Sequence, residues 1–174
     1  MEEQRFNQPW FIALMLITSL SALVPLSLAL YNQFILDKPW GDQPLSDSGL
    51  LLLVSGMLLV LVAANLIVFL SRLQTKVDKD GVYYRYPPFI NKWVHIGKKT
   101  ITEYNIKRYH PLLDFGGWGY RMKFFFRRKQ AFHIKGNIGL YIQLSSGKVL
   151  LLGTQKAEML RSAMKKMMQP SEGF

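Results

Sequence analysis

The sequence predicts an α+β membrane protein, in which a hairpin of two membrane-spanning helices precedes an antiparallel β-sandwich or barrel that ends in a helix. Two observations predict this arrangement. Two long apolar runs without any charge occupy residues 10–35 and 50–70. After residue 71, short alternating segments separated by glycine-bearing turns indicate β-strands. We therefore divide the chain into a transmembrane hairpin, residues 1–71, and a soluble domain, residues 72–174.

The first apolar run has aromatic residues at both ends, with Trp10 and Phe11 at its start and Tyr31 and Phe34 near its finish. Aromatic side chains concentrate at the two membrane–water interfaces, so this placement is typical of a membrane span. Pro25 lies inside the run. Because a proline removes a backbone donor and crowds the preceding turn, we expect a kink in the helix there.

The second apolar run, residues 50–70, would form a helix about 31 Å long, which matches the hydrocarbon core of a bilayer. Its one strongly polar residue is Asn65. An amide in hydrocarbon needs a hydrogen-bond partner, and hydroxyl residues of the first run lie at a similar depth: Thr18, Ser19 and Ser21. We expect an interhelical hydrogen bond at Asn65 in preference to a polar pathway across the membrane.

The loop between the two runs, residues 36–49, holds one lysine and is rich in Pro, Gly and Asp. Four cations follow the second run closely, namely Arg72, Lys76, Lys79 and Arg85. Cytoplasmic flanks of membrane spans carry the excess of Lys and Arg. We therefore expect an integral protein of the cell (inner) membrane with both termini in the cytoplasm.

Charge is distributed unevenly along the chain. Beyond residue 71, twenty Lys and Arg face six acidic residues, which gives a formal charge of +14, whereas the first 71 residues carry −3. For a membrane-tethered domain, attraction to an anionic leaflet is favoured over nucleic-acid binding, and a merely solvated basic surface is an equal alternative. The chain has no cysteine, which excludes disulfides, thiolate metal sites and cysteine nucleophiles.

Eight strands and one helix are predicted in the soluble domain. The alternation of apolar and polar residues places the strands at 73–78, 82–86, 93–96, 105–110, 120–126, 131–134, 140–144 and 149–152. Thr154 is a good N-cap for a helix that ends before Pro170. The apolar face of this helix would carry Ala157, Leu160, Ala163, Met164, Met167 and Met168. We expect this face to close the end of the β-structure in preference to forming a methionine-rich binding face.

Four short motifs carry a family resemblance: DFGGWGYR at 114–121, GNIGL at 136–140, SGK at 146–148 and LGTQK at 152–156. With the closing helix, residues 73–168 resemble the bacterial pleckstrin-homology-like (PH-like) domain, in particular that of small two-span membrane proteins, mostly of unknown function. The resemblance implies a bent seven-stranded antiparallel barrel capped by a C-terminal helix. It implies neither an enzymatic activity nor a phosphoinositide site.

A run of aromatic and basic residues at a predicted hairpin end suggests a contact with the membrane or with a partner. Aromatic rings favour the headgroup boundary, and cations favour an anionic surface. Alternation offers a simpler interpretation, in which one face of the strand packs in the core and the cations form a solvated turn. The contact residues of this hypothesis are Phe124, Phe126, Arg127, Arg128 and Lys129.

No pattern in the sequence predicts catalysis, a cofactor site or a metal site. His95, His110 and His133 lack the spacing of metal ligands, and no local pair of carboxylates is present. We therefore expect a membrane-anchored binding or scaffolding protein that contacts a protein partner, as a subunit of a larger membrane assembly. A module that senses anionic lipid headgroups is the alternative. An enzyme acting on lipid or peptidoglycan precursors would need polar residues that only the fold brings together.

Overall fold

The computed structural model describes residues 1–115, 117, 119–122 and 129–169. Three helices have more than ten residues, and a shorter one lies between two strands: α1 (Pro9–Phe34), α2 (Asp47–Leu70), α3 (Pro111–Phe115) and α4 (Ala157–Met168). The strands are β1 (Glu2–Arg5), β2 (Arg72–Asp78), β3 (Gly81–Tyr86), β4 (Ile90–Gly97), β5 (Ile101–Arg108), β6 (Gly119–Met122), β7 (Lys129–His133), β8 (Ile138–Leu144) and β9 (Val149–Gly153).

The chain forms two compact units. One is Asn7–Phe69, which contains α1 and α2, and the other combines Met1–Phe6 with Leu70–Phe174. The first six residues thus differ from the expectation that residues 1–71 form one hairpin domain. The reason is strand pairing, because β1 pairs antiparallel with β2, with Glu3 opposite Gln74 and Arg5 opposite Arg72.

Helices α1 and α2 are long and apolar enough to cross a membrane. They contain 26 and 24 residues, and the mean hydropathy of their most apolar stretches is 2.2 and 2.7. Helix α1 continues through Pro25. Ala29 of α1 packs against Leu50 and Val54 of α2, where small and branched side chains meet. Length and composition therefore agree with the two predicted spans.

Two sheets make up the other unit. The first has the order β1-β2-β3-β4 and is entirely antiparallel, and the second has the order β5-β8-β9-β7-β6. The expectation of an all-antiparallel structure is wrong for one ladder, because β7 pairs parallel with β9. Strand β9 lies between β8 and β7 in the sheet. The chain reverses its direction between β7 and β8 and again between β8 and β9, so β9 runs parallel to β7. Within the described residues no strand pairing joins the two sheets, so they do not form a closed barrel.

The core lies between the two sheets and α4. Its buried side chains come from the inward faces of the strands and from the apolar face of α4: Leu73, Val82, Tyr84, Tyr86, Phe132, Leu140, Ile142, Leu150, Leu152, Leu160, Met164 and Met167. The predicted methionine-bearing face of the last helix is thus a packing face. Burying such side chains is the main term that stabilises a small domain.

The predicted elements overlap with strands of the structure, and they differ mainly at their ends. Strand β5 begins at Ile101, four residues before the predicted start, and the predicted 120–126 strand is described only to Met122. The prediction that Thr154 caps the last helix is wrong, since α4 begins at Ala157 and its N-cap is Lys156. The hydroxyl of Thr154 donates instead to Glu2 Oε2.

Candidate binding groove

A groove of about 550 Å³ lies on the face of the second sheet that points away from the core. Most of the lining side chains alternate along β5, β8 and β9 with those that face the core, as expected for a sheet with two different faces, and Tyr104 contributes to both. The groove is lined by Glu103, Tyr104, Asn105, Lys107, Arg108, Asp114, Lys129, Gln130, Tyr141, Gln143, Val149 and Leu151.

Strand register assembles the groove from residues that are distant in sequence. One row across the sheet consists of Glu103 opposite Gln143, Gln143 opposite Val149, and Val149 opposite Lys129. The parallel pairing of β7 places Lys129 at the far side of this row from Glu103. The row therefore carries an acid at one side and a cation at the other, with an amide and an apolar residue between them.

The next row places an aromatic residue in the middle of the groove. Asn105 lies opposite Tyr141, and Tyr141 lies opposite Leu151. The ammonium group of Lys107 lies 4.6 Å from the centre of the Tyr141 ring, a cation–π distance. Lys107 itself lies opposite Gly139, which contributes no side chain. The ring of Tyr141 and the stem of Lys107 thus form one wall.

The surroundings of Tyr141 favour its neutral phenol. Burial of its phenol raises the pKa of Tyr141, and the negative charge of Asp114 raises it further. Asp114 belongs to α3, and its Oδ2 accepts a hydrogen bond of 2.8 Å from the backbone N–H of His110. The phenol therefore stays protonated at neutral pH and can donate a hydrogen bond to a ligand.

The floor of the groove rests on a second small apolar cluster. Leu151 packs with the fully buried Ala131 and with Tyr109. The ring of Tyr109 lies against buried His133, with ring centres 5.1 Å apart. Burial also raises the pKa of Tyr109. The floor is thus apolar and packed, and the polar groups stand on the walls.

The described walls carry three cations and two acids: Lys107, Arg108, Lys129, Glu103 and Asp114. Strand β5 forms one outer edge of the second sheet, since it pairs only with β8 in the described part of the chain. No group of three His, Asp or Glu that could hold a metal ion occurs among the described residues. The arrangement is suited to binding an extended polar segment by hydrogen bonds and charge.

The predicted contact residues at the aromatic and basic tip are placed as follows. Phe124, Phe126, Arg127 and Arg128 lie outside the described residues, so their role stays a prediction. Lys129 begins β7, is exposed and lines the groove. Of the five residues proposed from the sequence, this one therefore belongs to the candidate site.

Sequence reasoning did not find the groove itself. The pattern that could have indicated it is the alternation along β5, where the polar residues Glu103, Asn105 and Lys107 alternate with Tyr104 and Ile106. The prediction began that strand at residue 105 and so left out Glu103. No local pattern indicates that Lys129 lies across the sheet from this strand, because the two are joined only through β8 and β9.

No protein-family model, curated protein or solved structure matches this chain. Three of the four motifs behind the PH-like resemblance lie at turns and strand ends of the second sheet. Residues 136–140 lead into β8, 146–148 lie between β8 and β9, and 152–156 lead from β9 toward α4. The fourth motif, 114–121, lies partly outside the described residues.

The polar residues predicted between the two long helices fall within the unit that contains α1 and α2. Asn65 Nδ2 lies 3.4 Å from Ser19 Oγ and donates a shorter hydrogen bond, 2.8 Å, to the carbonyl of Leu61 in its own helix. Thr18 is turned to its own helix, where its hydroxyl donates to the carbonyls of Leu14 and Met15. The geometry therefore pairs Asn65 with Ser19, and Thr18 takes no part.

Proposed function

We propose that this chain is a membrane-anchored binding protein. Helices α1 and α2 cross the cell (inner) membrane as a hairpin, and the two-sheet unit is a cytoplasmic PH-like domain. Its groove binds an extended, acidic segment of a partner protein, as one subunit of a larger membrane assembly. The observation that carries this proposal is the groove, a 550 Å³ site with an apolar floor and charged walls beside an edge strand.

The membrane anchor is supported by the helices and by the pairing of β1 with β2. Strand β1 precedes α1 and strand β2 follows α2, and the two are neighbours in one sheet. The two ends of the hairpin therefore return to the same side of a membrane, which requires an even number of crossings. The cations Arg72, Lys76 and Lys79 that follow α2 favour the cytoplasmic side.

The charged walls of the groove and the edge strand β5 indicate what kind of partner segment would bind. An extended peptide that adds to a sheet edge gains main-chain hydrogen bonds, and side-chain pockets give specificity. Strand β5 has eight residues, which is about 26 Å of extended chain. The groove has three cations, Lys107, Arg108 and Lys129, against two acids. Residues 72–174 as a whole are also strongly basic. A partner segment with carboxylates fits this charge.

A photo-crosslinker at Asn105 tests the proposal. The full chain with p-benzoylphenylalanine in place of Asn105 is expressed in its native membranes and irradiated. We expect a covalent adduct to one defined protein, because Asn105 lies in the middle of the groove. Charge reversal by Lys107→Glu should reduce the adduct several-fold.

Two controls define the outcome. Lys166→Glu reverses an exposed cation on α4 away from the groove and should leave the adduct unchanged. A crosslinker in place of Lys79, at the turn between β2 and β3, should not yield the same protein. The proposal fails if the adduct survives Lys107→Glu or forms equally from position 79. An adduct to anionic lipid alone would favour the lipid-sensing alternative, which rests on the basic charge of the domain.

A further inference from the structure

The turn between β3 and β4, residues 87–89, lies at the same end of the first sheet as Arg72, where β2 begins. Helix α2 ends at Leu70, and β2 starts two residues later at Arg72. The backbone N–H of Arg72 donates a hydrogen bond of 3.2 Å to the carbonyl of Pro87. Strand β3 runs from the turn at residues 79–80 to Pro87, which lies beside Arg72 at the start of β2.

Two large aromatic side chains at this end are exposed. Phe89 is 55% exposed and Trp93 is 39% exposed, although neighbouring Tyr86 is only 1% exposed. The rings of Tyr86 and Phe89 stack with centres 6.0 Å apart, so a buried residue holds Phe89 at the surface. Single exposed apolar residues are common, but two large exposed aromatic residues only four positions apart, Phe89 and Trp93, are unusual for a surface that contacts water alone.

Positive charge accompanies these two aromatic residues. The guanidinium of Arg85 lies 4.8 Å from the centre of the Trp93 ring, and Lys92 is exposed between the two aromatic residues. The row that contains Pro87 also carries Arg72 and, opposite it, Arg5. Glu3, two residues before Arg5 on β1, is bonded to Arg5 and Gln74.

We propose that the β3–β4 turn anchors the domain at the surface of the membrane that α2 enters. Phe89 and Trp93 lie in the headgroup layer of the anionic leaflet, and Arg72, Arg85 and Lys92 bind lipid phosphates. This inference rests on the proposed function, since it requires α1 and α2 to span the membrane. Aromatic rings favour the interface, and each cation near an anionic surface contributes about 1 kcal/mol.

Chain length supports the bilayer as the surface that these residues contact. Residues 70 and 72 are two positions apart, so at most about 7 Å of chain separates the last residue of the span from the row of Pro87. The interfacial layer of one leaflet is roughly 5–8 Å thick. The turn therefore lies within reach of the headgroups. A soluble partner would have to displace lipid in order to bind there.

The test uses one thiol in the full chain, which has no cysteine of its own. Asn91→Cys, exposed and two residues from Phe89, is labelled with a nitroxide in vesicles of phosphatidylethanolamine and phosphatidylglycerol. Electron paramagnetic resonance then measures access of oxygen and of a water-soluble nickel chelate to the label. Lys79→Cys, at the other end of the seven-residue strand β2, is the matched control about 20 Å away.

We expect the nickel chelate to reach position 91 several-fold less than position 79, and oxygen to reach it more. Phe89→Ser with Trp93→Ser should raise access of the chelate at position 91 toward that at position 79, whereas Phe89→Trp should retain the protection. Equal access at both positions, in protein that resists alkaline carbonate extraction, overturns the anchor and leaves the membrane span intact. Release of the protein by carbonate overturns both.

Discussion

The carboxylate of Glu2 accepts a hydrogen bond of 2.7 Å from the hydroxyl of Thr154, although 152 positions separate the two residues in the chain. The other oxygen, Oε1, accepts one of 2.6 Å from the backbone N–H of Gln155. The side chain of Gln4 adds a bond of 2.8 Å to the carbonyl of Gly153. These contacts tie β1, which precedes the first apolar helix, to the end of β9.

Loss of the Glu2 carboxylate should destabilise the unit that contains the two sheets. Hydrogen bonds to a charged group contribute about 1.5–3 kcal/mol, so we expect Glu2→Ala and Thr154→Val each to lower the free energy of unfolding by that order. The double variant should cost less than the sum, because the two changes remove one shared bond. Denaturant unfolding of the full chain in micelles, followed by tryptophan fluorescence, measures these values.

Glu158→Gln is the control for this series. Its side chain is 86% exposed and lies 3.9 Å from Arg161, so the change should alter stability by less than about 0.5 kcal/mol. Additive costs of the Glu2 and Thr154 variants would show that the contact between them does not stabilise the fold.

Stability should fall in acid partly through Glu3. A hydrogen bond from Gln74, together with the adjacent Arg5, holds the pKa of Glu3 below its ordinary value of 4.5. The folded state thus favours the carboxylate. The resulting stabilisation is complete above the unfolded pKa and is lost as the pH falls through the lower folded value.

The comparison of wild type with Glu3→Gln isolates this effect. Unfolding free energies measured from pH 7 to pH 3 should decline more steeply for wild type below about pH 4.5. Asp78, whose pKa the adjacent Lys76 also lowers, contributes equally to both proteins. Parallel profiles for the two proteins would contradict the assignment to Glu3.

Replacing Asn65 by Leu should weaken packing of the two helices only slightly. Interhelical hydrogen bonds in membranes average under about 1 kcal/mol, and Asn65 already bonds to Leu61 in its own helix. Ser19→Ala should have a similarly small effect, and Thr18→Ala, whose hydroxyl faces its own helix, should have none. Unfolding of the hairpin in mixed detergent micelles measures the differences. Failure of Asn65→Leu to insert in the membrane would refute the placement of the second span.

The proposed orientation predicts which single cysteines react from outside the cell. Ser46→Cys, in the exposed connection before α2, should react with a membrane-impermeant maleimide in intact cells. Ser145→Cys, in the exposed turn between β8 and β9, should react only after permeabilisation. The cysteine-free parent is the background control. The reverse labelling pattern would overturn the orientation.

Local patterns located the two long helices, the last helix and the strands that follow residue 71, but not β1 or α3. A charge-free run long enough to span hydrocarbon predicts each long helix, and alternation predicts the strands, because both properties belong to neighbouring residues. The apolar face of α4 was predicted in the same way, and Met164 and Met167 are buried in the core.

Within the candidate site, Lys129 was singled out by the charge run that contains it, but its surroundings were not predicted. Glu103 and Tyr141 join it only through the order β5-β8-β9-β7, in which β9 separates two strands that are consecutive in the sequence. Alternation of polar and apolar residues indicates that a strand has two different faces. It does not indicate which other strand pairs with that strand.

The sequence by itself determined the two long apolar helices, the basic charge that follows them and the strand-rich character of the remainder. The tertiary structure alone decided that β1 joins the two-sheet unit, that β7 runs parallel to β9, and that Thr154 bonds to Glu2 in place of capping α4. The physical reason is that strand order and long-range hydrogen bonds depend on which surfaces are buried together. That choice is made by the whole chain, and no short segment encodes it.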